Sequence, residues 1–87
     1  IKMNVKKGSR MKYHLRENRN GVWTVVSGEG RTIVDGMEQH IRPGDVICIA
    51  AGCKHTIEAT QELKLIEVQI GKNISSKDKK VFDFPEV

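Results

Sequence analysis

"GSRMKYHLRENRNGVWTVVSG", residues 8–28, is the stretch on which the fold turns. Gly8 and Gly28 bracket one histidine, an aromatic and a valine-rich run. The alternation of the run suits a β-strand, with His14 and Arg16 on one face. His14 is its one histidine, with Arg16 two residues on and Gly21 five further.

Working outward, the sequence has no helical periodicity over most of its length. Short β-branched or apolar runs recur instead, each followed by a turn signal: RMKYHLR, VWTVVS, RTIVD, MEQHI, DVICIA, KHTIEA and LKLIEVQI. The punctuation is GEG at 28–30, DG at 35–36, PGD at 43–45, AGC at 51–53 and TQE at 60–62. Glycine supplies positive φ there, and proline presets the first turn position. Asp35-Gly36 between RTIV and MEQHI predicts a two-residue hairpin of type I′. Many short strands at even spacing imply a sandwich or barrel.

Burial can be anticipated run by run. VWTVV and DVICIA carry few polar residues and are expected to be buried on both faces. MEQHI alternates, with Met37 and Ile41 inward and Glu38 and His40 outward. LKLIEVQI sets Leu63, Leu65, Glu67 and Gln69 on one face, so the last two are expected at a pocket wall or a sheet edge. GKNISSKDKK reads as a polar loop. VFDFPEV is expected to lie across the barrel or against another subunit.

Bulk composition sets limits. At 87 residues the chain is one domain, with a barrel over 5–70 and a C-terminal tail over 71–87. A domain this small buries only about 60% of its unfolded surface, so a partner chain would help. The net charge of +4 suits either plain solubility or an anionic partner. The basic residues are dispersed among acidic ones without aromatic interleaving, which speaks against nucleic acid. No apolar run approaches the roughly 18 residues of a membrane span. IKMNVKKGSR lacks the apolar core of a signal peptide. Cys48 and Cys53 are too few for a disulfide scaffold and read as reduced thiols in a cytoplasmic protein.

The motif spacing is more specific. Gly8, five residues, His14, one residue, Arg16, four residues, Gly21, six residues and Gly28 follow in order. Later come Gly44, five residues, Ala50, Ala51, Gly52, two residues, His55, three residues and Ala59. These two series resemble the paired motifs of the cupin superfamily. The resemblance implies an all-β fold, a single-domain antiparallel double-stranded β-helix, or jelly-roll barrel. The phrases "VWTVVSGEGRTIVDG", "IRPGDVICIAAGCKH" and "LKLIEVQIGKNI" are further similar to one group. That group is the C-terminal domain of type II mannose-6-phosphate isomerases, often fused to a mannose-1-phosphate guanylyltransferase. It implies carbohydrate metabolism, in polysaccharide biosynthesis.

In cupins the four metal ligands are His, His, Glu and His, and the resemblance maps them to His14, Arg16, Gly21 and His55. Arg16 offers no lone pair and repels a divalent cation. Gly21 removes a neutralising carboxylate. No tightly held metal is expected, and no other cofactor; His14 and His55 are left as a weak zinc pair. The altered cavity stays cationic. Arg16 can hold a carboxylate or phosphate by paired hydrogen bonds, and Gly21 opens room. Arg19 and Lys54 are expected to add charge at the rim, with Gln69 and Trp23 also facing the substrate.

Two functions stay open. One is an isomerase-like cupin for a sugar phosphate, with His55, His14 or Glu67 as the base and Arg16 polarising the carbonyl. The other is a non-catalytic binding, sensor or structural module with a vestigial pocket, in which Arg16 reaches solvent and His14 is merely a satisfied inward residue. A metal dioxygenase is disfavoured by Arg16 and Gly21. Among the remaining candidates, His55 has a structural role as a pin for the AGCK turn, and His40 is expected in solvent. Cys53 is expected to point away from the site, Trp23 to serve the core or else the pocket floor, and Tyr13 to point opposite to His14 and pack between the sheets or at a dimer contact. Exposed sheet edges predict a homodimer.

Overall fold

A computed structural model describes residues 1–71 and 78–84. Nine strands follow one another: β1 Lys2–Val5, β2 His14–Arg16, β3 Arg19–Ser27, β4 Gly30–Val34, β5 Met37–Ile41, β6 Val46–Ile49, β7 His55–Ala59, β8 Leu63–Gly71 and β9 Lys79–Val81. They form two antiparallel sheets, ordered β1-β8-β3-β6 and β5-β4-β7-β2-β9. This is the jelly-roll architecture that the motif resemblance implies, and it is of the sandwich or barrel class expected from the turn spacing. No helix among the described residues is long and apolar enough to cross a membrane.

Local chemistry explains the connections. β4 and β5 pair from Val34↔Met37 onward, so only Asp35 and Gly36 lie between them. Their φ values of 51° and 79° are the two positive angles a type I′ turn requires. Gly30 is needed for a different reason: a Cβ there would collide with the backbone oxygen of Glu58 on the neighbouring strand. The two sheets pack through alternate residues. Trp23, Val25, Ile47, Ile49, Leu63 and Leu65 face inward from the first, and Ile41, Ile57 and Ala59 from the second. Burying each large aliphatic side chain contributes roughly 1.5–3 kcal/mol.

Several expectations need correction. RMKYHLR is a regular strand only over His14–Arg16. The chain from Gly8 to Met11 follows β7 irregularly, through Gly8 N–H to Ala59 O and Met11 N–H to Ile57 O. VWTVV and DVICIA are not buried on both faces. Trp23, Val25, Ile47 and Ile49 are inside, but Val26, Val46 and Cys48 are exposed. The outer face continues across β8, where Ile66, Val68 and Ile70 are exposed. Nothing in the described chain covers this face, so its apolar character does not imply burial. Met37 is 76% exposed because it sits at the hairpin tip, past the edge of the core; Ile41 at the other end of β5 is buried.

The C-terminal stretch also departs from expectation. Of GKNISSKDKK, residues 72–77 lie outside the described region. Gly71 ends β8 and Lys79–Lys80 open β9, which pairs with β2. The closing segment lies across the barrel as one of the two expected alternatives: Phe82 N–H donates to Tyr13 O, and Phe84 stacks at 6.3 Å from Tyr13. Residues 85–87 lie outside the described region.

Candidate functional site

The two sheets leave a cavity of about 240 Å³ between β2, β3, β7 and β8. Ordinary strand alternation brings its key residues together. His14 on β2 lies directly opposite His55 on β7 in the antiparallel register. Cross-strand partners have Cβ atoms about 5 Å apart, and the two ring centroids are 4.3 Å apart. Arg16, two residues along β2, points the same way and lines the same cavity. On the facing sheet Gly21 pairs with Gln69, and Trp23 with Glu67.

Each histidine is anchored by a carbonyl two residues earlier. His14 Nδ1 lies 2.6 Å from Lys12 O, and His55 Nδ1 lies 3.0 Å from Cys53 O. A carbonyl only accepts, so Nδ1 carries the hydrogen and Nε2 keeps the lone pair. Burial lowers the His14 pKa to about 4; the Lys12 carbonyl opposes this, and His55, Lys79 and Arg16 lower it further. Burial likewise lowers the His55 pKa; the Cys53 carbonyl and Glu67 oppose it, and Arg16 and Lys79 add to it. Both rings are therefore neutral near pH 7.

Both oxygens of Glu67 are hydrogen-bonded. Its Oε2 accepts from Trp23 Nε1 at 2.6 Å, and its Oε1 accepts from Gln69 Nε2 at 2.7 Å. Gln69 Oε1 in turn accepts from Arg19 at 2.8 Å. This chain of bonds fixes the floor of the cavity and makes Trp23 both core and lining. Gly21 is spacious rather than strained: a Cβ would meet Glu67 Oε2 at 3.7 Å and Trp23 Nε1 at 3.9 Å, ordinary contacts. A side chain at position 21 would thus enter the cavity beside Glu67.

The four ligand-equivalent positions 14, 16, 21 and 55 converge, as do Arg19, Trp23, Glu67 and Gln69. Lys54 does not join them. Its turn carries it outward, with its ammonium 4.1 Å from the Phe82 ring centroid. Cys53 is half-buried against the core instead of lining the cavity, and His40 is exposed. Sequence reasoning missed Asp78 and Lys79. Asp78 is buried between Arg16 and Arg19, at 3.4 and 3.5 Å, and Lys79 lines the cavity. Both lie within a polar stretch that carried no periodic signal.

The donor set does not suit a tightly held divalent metal. Two imidazole Nε2 lone pairs are available, but Glu67 has both oxygens occupied by Trp23 and Gln69. Three cationic side chains, Arg16, Arg19 and Lys79, line the same small volume. No group of three or more His, Cys, Asp or Glu side chains among the described residues is arranged to hold an ion. Metal centres commonly need three or four ligands with their own supporting bonds.

A family model described as Cupin domain matches residues 1–69. No curated protein matches the chain. Among solved structures, one from Thermotoga maritima, described provisionally as an oxalate decarboxylase, aligns at 29% identity and a TM-score of 0.77. It covers 80% of this chain and 63% of that one. One from Acidithiobacillus ferrooxidans, described provisionally as a sugar phosphate isomerase, aligns at 21% identity and 0.71, covering 78% and 46%. The salicylate 1,2-dioxygenase of Pseudaminobacter salicylatoxidans aligns at 15% and 0.73, covering 76% and 19%. The last two likenesses concern the fold alone. The chain spans less than two thirds of the length of each of these proteins.

Proposed function

The chain belongs to the cupin family, matched over residues 1–69, and on that premise we propose that it binds a small sugar phosphate in the barrel without a metal ion. The observation that carries this reading is the company of Arg16 and Arg19. Two guanidiniums share a cavity with two neutral histidines and with the bonded Glu67–Gln69 pair. Guanidiniums recognise phosphate or carboxylate oxygens in pairs. The free Nε2 atoms of His14 and His55 accept hydrogen bonds from hydroxyl groups. At about 240 Å³ the cavity lies below the usual range for drug-sized ligands, roughly 300–1,000 Å³. That favours a monosaccharide-sized molecule over a nucleotide sugar. The similarity of its strand phrases to type II mannose-6-phosphate isomerases makes mannose-6-phosphate the first ligand to test.

Turnover is the second reading. Aldose–ketose isomerisation moves a proton between neighbouring carbons and needs a base and a carbonyl polariser. Arg16 would polarise, and His55, His14 or Glu67 would take the proton. His14, with a pKa of about 4, is a weak base at neutral pH, and both Glu67 oxygens already accept bonds. These features favour binding over rapid catalysis.

Calorimetry with mannose-6-phosphate, mannose and oxalate tests the binding reading. The phosphorylated sugar is expected to bind, mannose not, and Arg16→Leu to weaken binding at least about tenfold, as for a lost charge-assisted bond. Absence of binding at millimolar mannose-6-phosphate, or preference for oxalate, overturns it. Fructose-6-phosphate formation, with and without Zn²⁺ or Co²⁺, decides the second reading.

A further inference from the structure

Asp78 and Lys79 reach the site from beyond the last barrel strand shared with the motifs. β9 pairs antiparallel with β2, setting Lys79 opposite Arg16 and Val81 opposite His14. Asp78, immediately before β9, is 4% exposed. Its Oδ1 lies 3.4 Å from Arg16 Nη1 and 3.5 Å from Arg19 Nη2, and its Oδ2 accepts from Asn18 N–H at 3.4 Å. One carboxylate thus serves two guanidiniums.

That single carboxylate leaves the arginine pair incompletely answered. Its contacts are longer than the roughly 2.7–2.9 Å of strong charge-assisted hydrogen bonds. Arg19 Nε is buried without a hydrogen-bond partner, in a side chain only 8% exposed. Lys79 has no acidic partner among the described residues, and it lines the cavity. Burial and the neighbouring charges of Arg16, Lys12 and Arg19 all lower its pKa, so an anion beside it would relieve that repulsion. Arg16, Arg19 and Lys79 carry three positive charges around the cavity, and the carboxylates of Asp78 and Glu67 answer two of them.

We infer that the C-terminal segment completes the anion site, with Lys79 contacting the ligand's phosphate and Asp78 serving as the built-in counter-ion of Arg16 and Arg19. This rests on the cavity taking a sugar phosphate, and it names the selective group. A surplus of positive charge, with donors on three cationic side chains, suits a phosphate monoester better than a neutral sugar. Asp78 limits the total: without it the cavity would favour anions less selectively.

The test uses the full chain and calorimetry at pH 7.5 with mannose-6-phosphate, inorganic phosphate and mannose. Lys79→Met is expected to weaken mannose-6-phosphate binding about tenfold or more. Its melting temperature should stay near that of the wild type, because Lys79 is exposed at the strand edge. Lys79→Arg should restore binding. Asp78→Asn is expected to lower the melting temperature while strengthening inorganic phosphate binding severalfold. Unchanged affinity in Lys79→Met, alongside loss in Arg16→Leu, overturns the inference and leaves the sugar-phosphate reading standing. Weaker phosphate binding in a folded Asp78→Asn also overturns it. Failure of the wild type to bind any phosphorylated ligand overturns both.

Discussion

Acid should weaken this fold through one buried ring. His14 is 5% exposed, and its pKa falls from 6.5 to about 4, chiefly by burial. The folded pKa lies below the unfolded one, so the unfolded chain takes up the proton first. By linkage, the stability associated with the neutral ring is whole above about pH 6.5 and is lost as the pH falls towards 4. The gap of about 2.5 pH units, at roughly 1.4 kcal/mol per unit, amounts to about 3 kcal/mol. For a domain of this size that corresponds to a fall in melting temperature of more than about 10 °C. His55 is lowered in the same direction and adds to the loss. Carboxylates also titrate in this range, so the comparison needs a variant. His14→Asn removes the titration and keeps an amide donor close to the Lys12 carbonyl. Urea denaturation of both proteins at pH 7, 6 and 5 isolates the ring. Relative to the variant, the wild type should lose up to roughly 1.4 kcal/mol per pH unit within the window. Parallel profiles, or a His14 ring that titrates near 6.5 by NMR, would refute the reasoning, because either means the ring is solvated.

Three further outcomes are expected. The double variant Arg16→His with Gly21→Glu should gain a Co²⁺ site visible by its absorption spectrum. The cavity has room at position 21, and the change supplies two ligands while removing a cation; a folded variant without cobalt absorption would contradict this. Gly30→Ala should destabilise the barrel by about 2 kcal/mol or more, since its Cβ would overlap Glu58 O and press on Leu63; an unchanged urea midpoint would count against the β4–β7 register. The homodimer expected from sequence has an apolar contact surface available in the outer face of Val26, Val46, Ile66, Val68 and Ile70. These five side chains lie side by side on β3, β6 and β8. Light scattering should report a dimer that Val68→Lys dissociates; a wild-type monomer at micromolar concentration would exclude this contact.

Local chemistry made much of this protein legible. Asp35-Gly36 announced its hairpin because few residue pairs tolerate two successive positive φ angles. Positions 14 and 16, and the face of Leu63, Leu65, Glu67 and Gln69, followed from the two-residue period of a strand. The motif spacing brought positions 21 and 55 to the same cavity. Lys54 was not placed by the same rule, because the direction of a turn residue depends on the turn's own geometry and not on strand alternation; it rests on Phe82, nearly thirty positions away in the chain.

By itself, then, the sequence determined the β-rich architecture, its turns, and the replacement of two metal-ligand positions by Arg16 and Gly21. Those are properties of residue type and near-neighbour spacing. Only the tertiary structure decided which apolar faces stay uncovered, that Glu67 is held by Trp23 and Gln69, and that Asp78 and Lys79 reach the arginines. Periodicity sets which way a side chain points from its own strand. What it meets there depends on strand pairing across sixty residues of chain, as Arg16 and Asp78 show, and no local pattern encodes that.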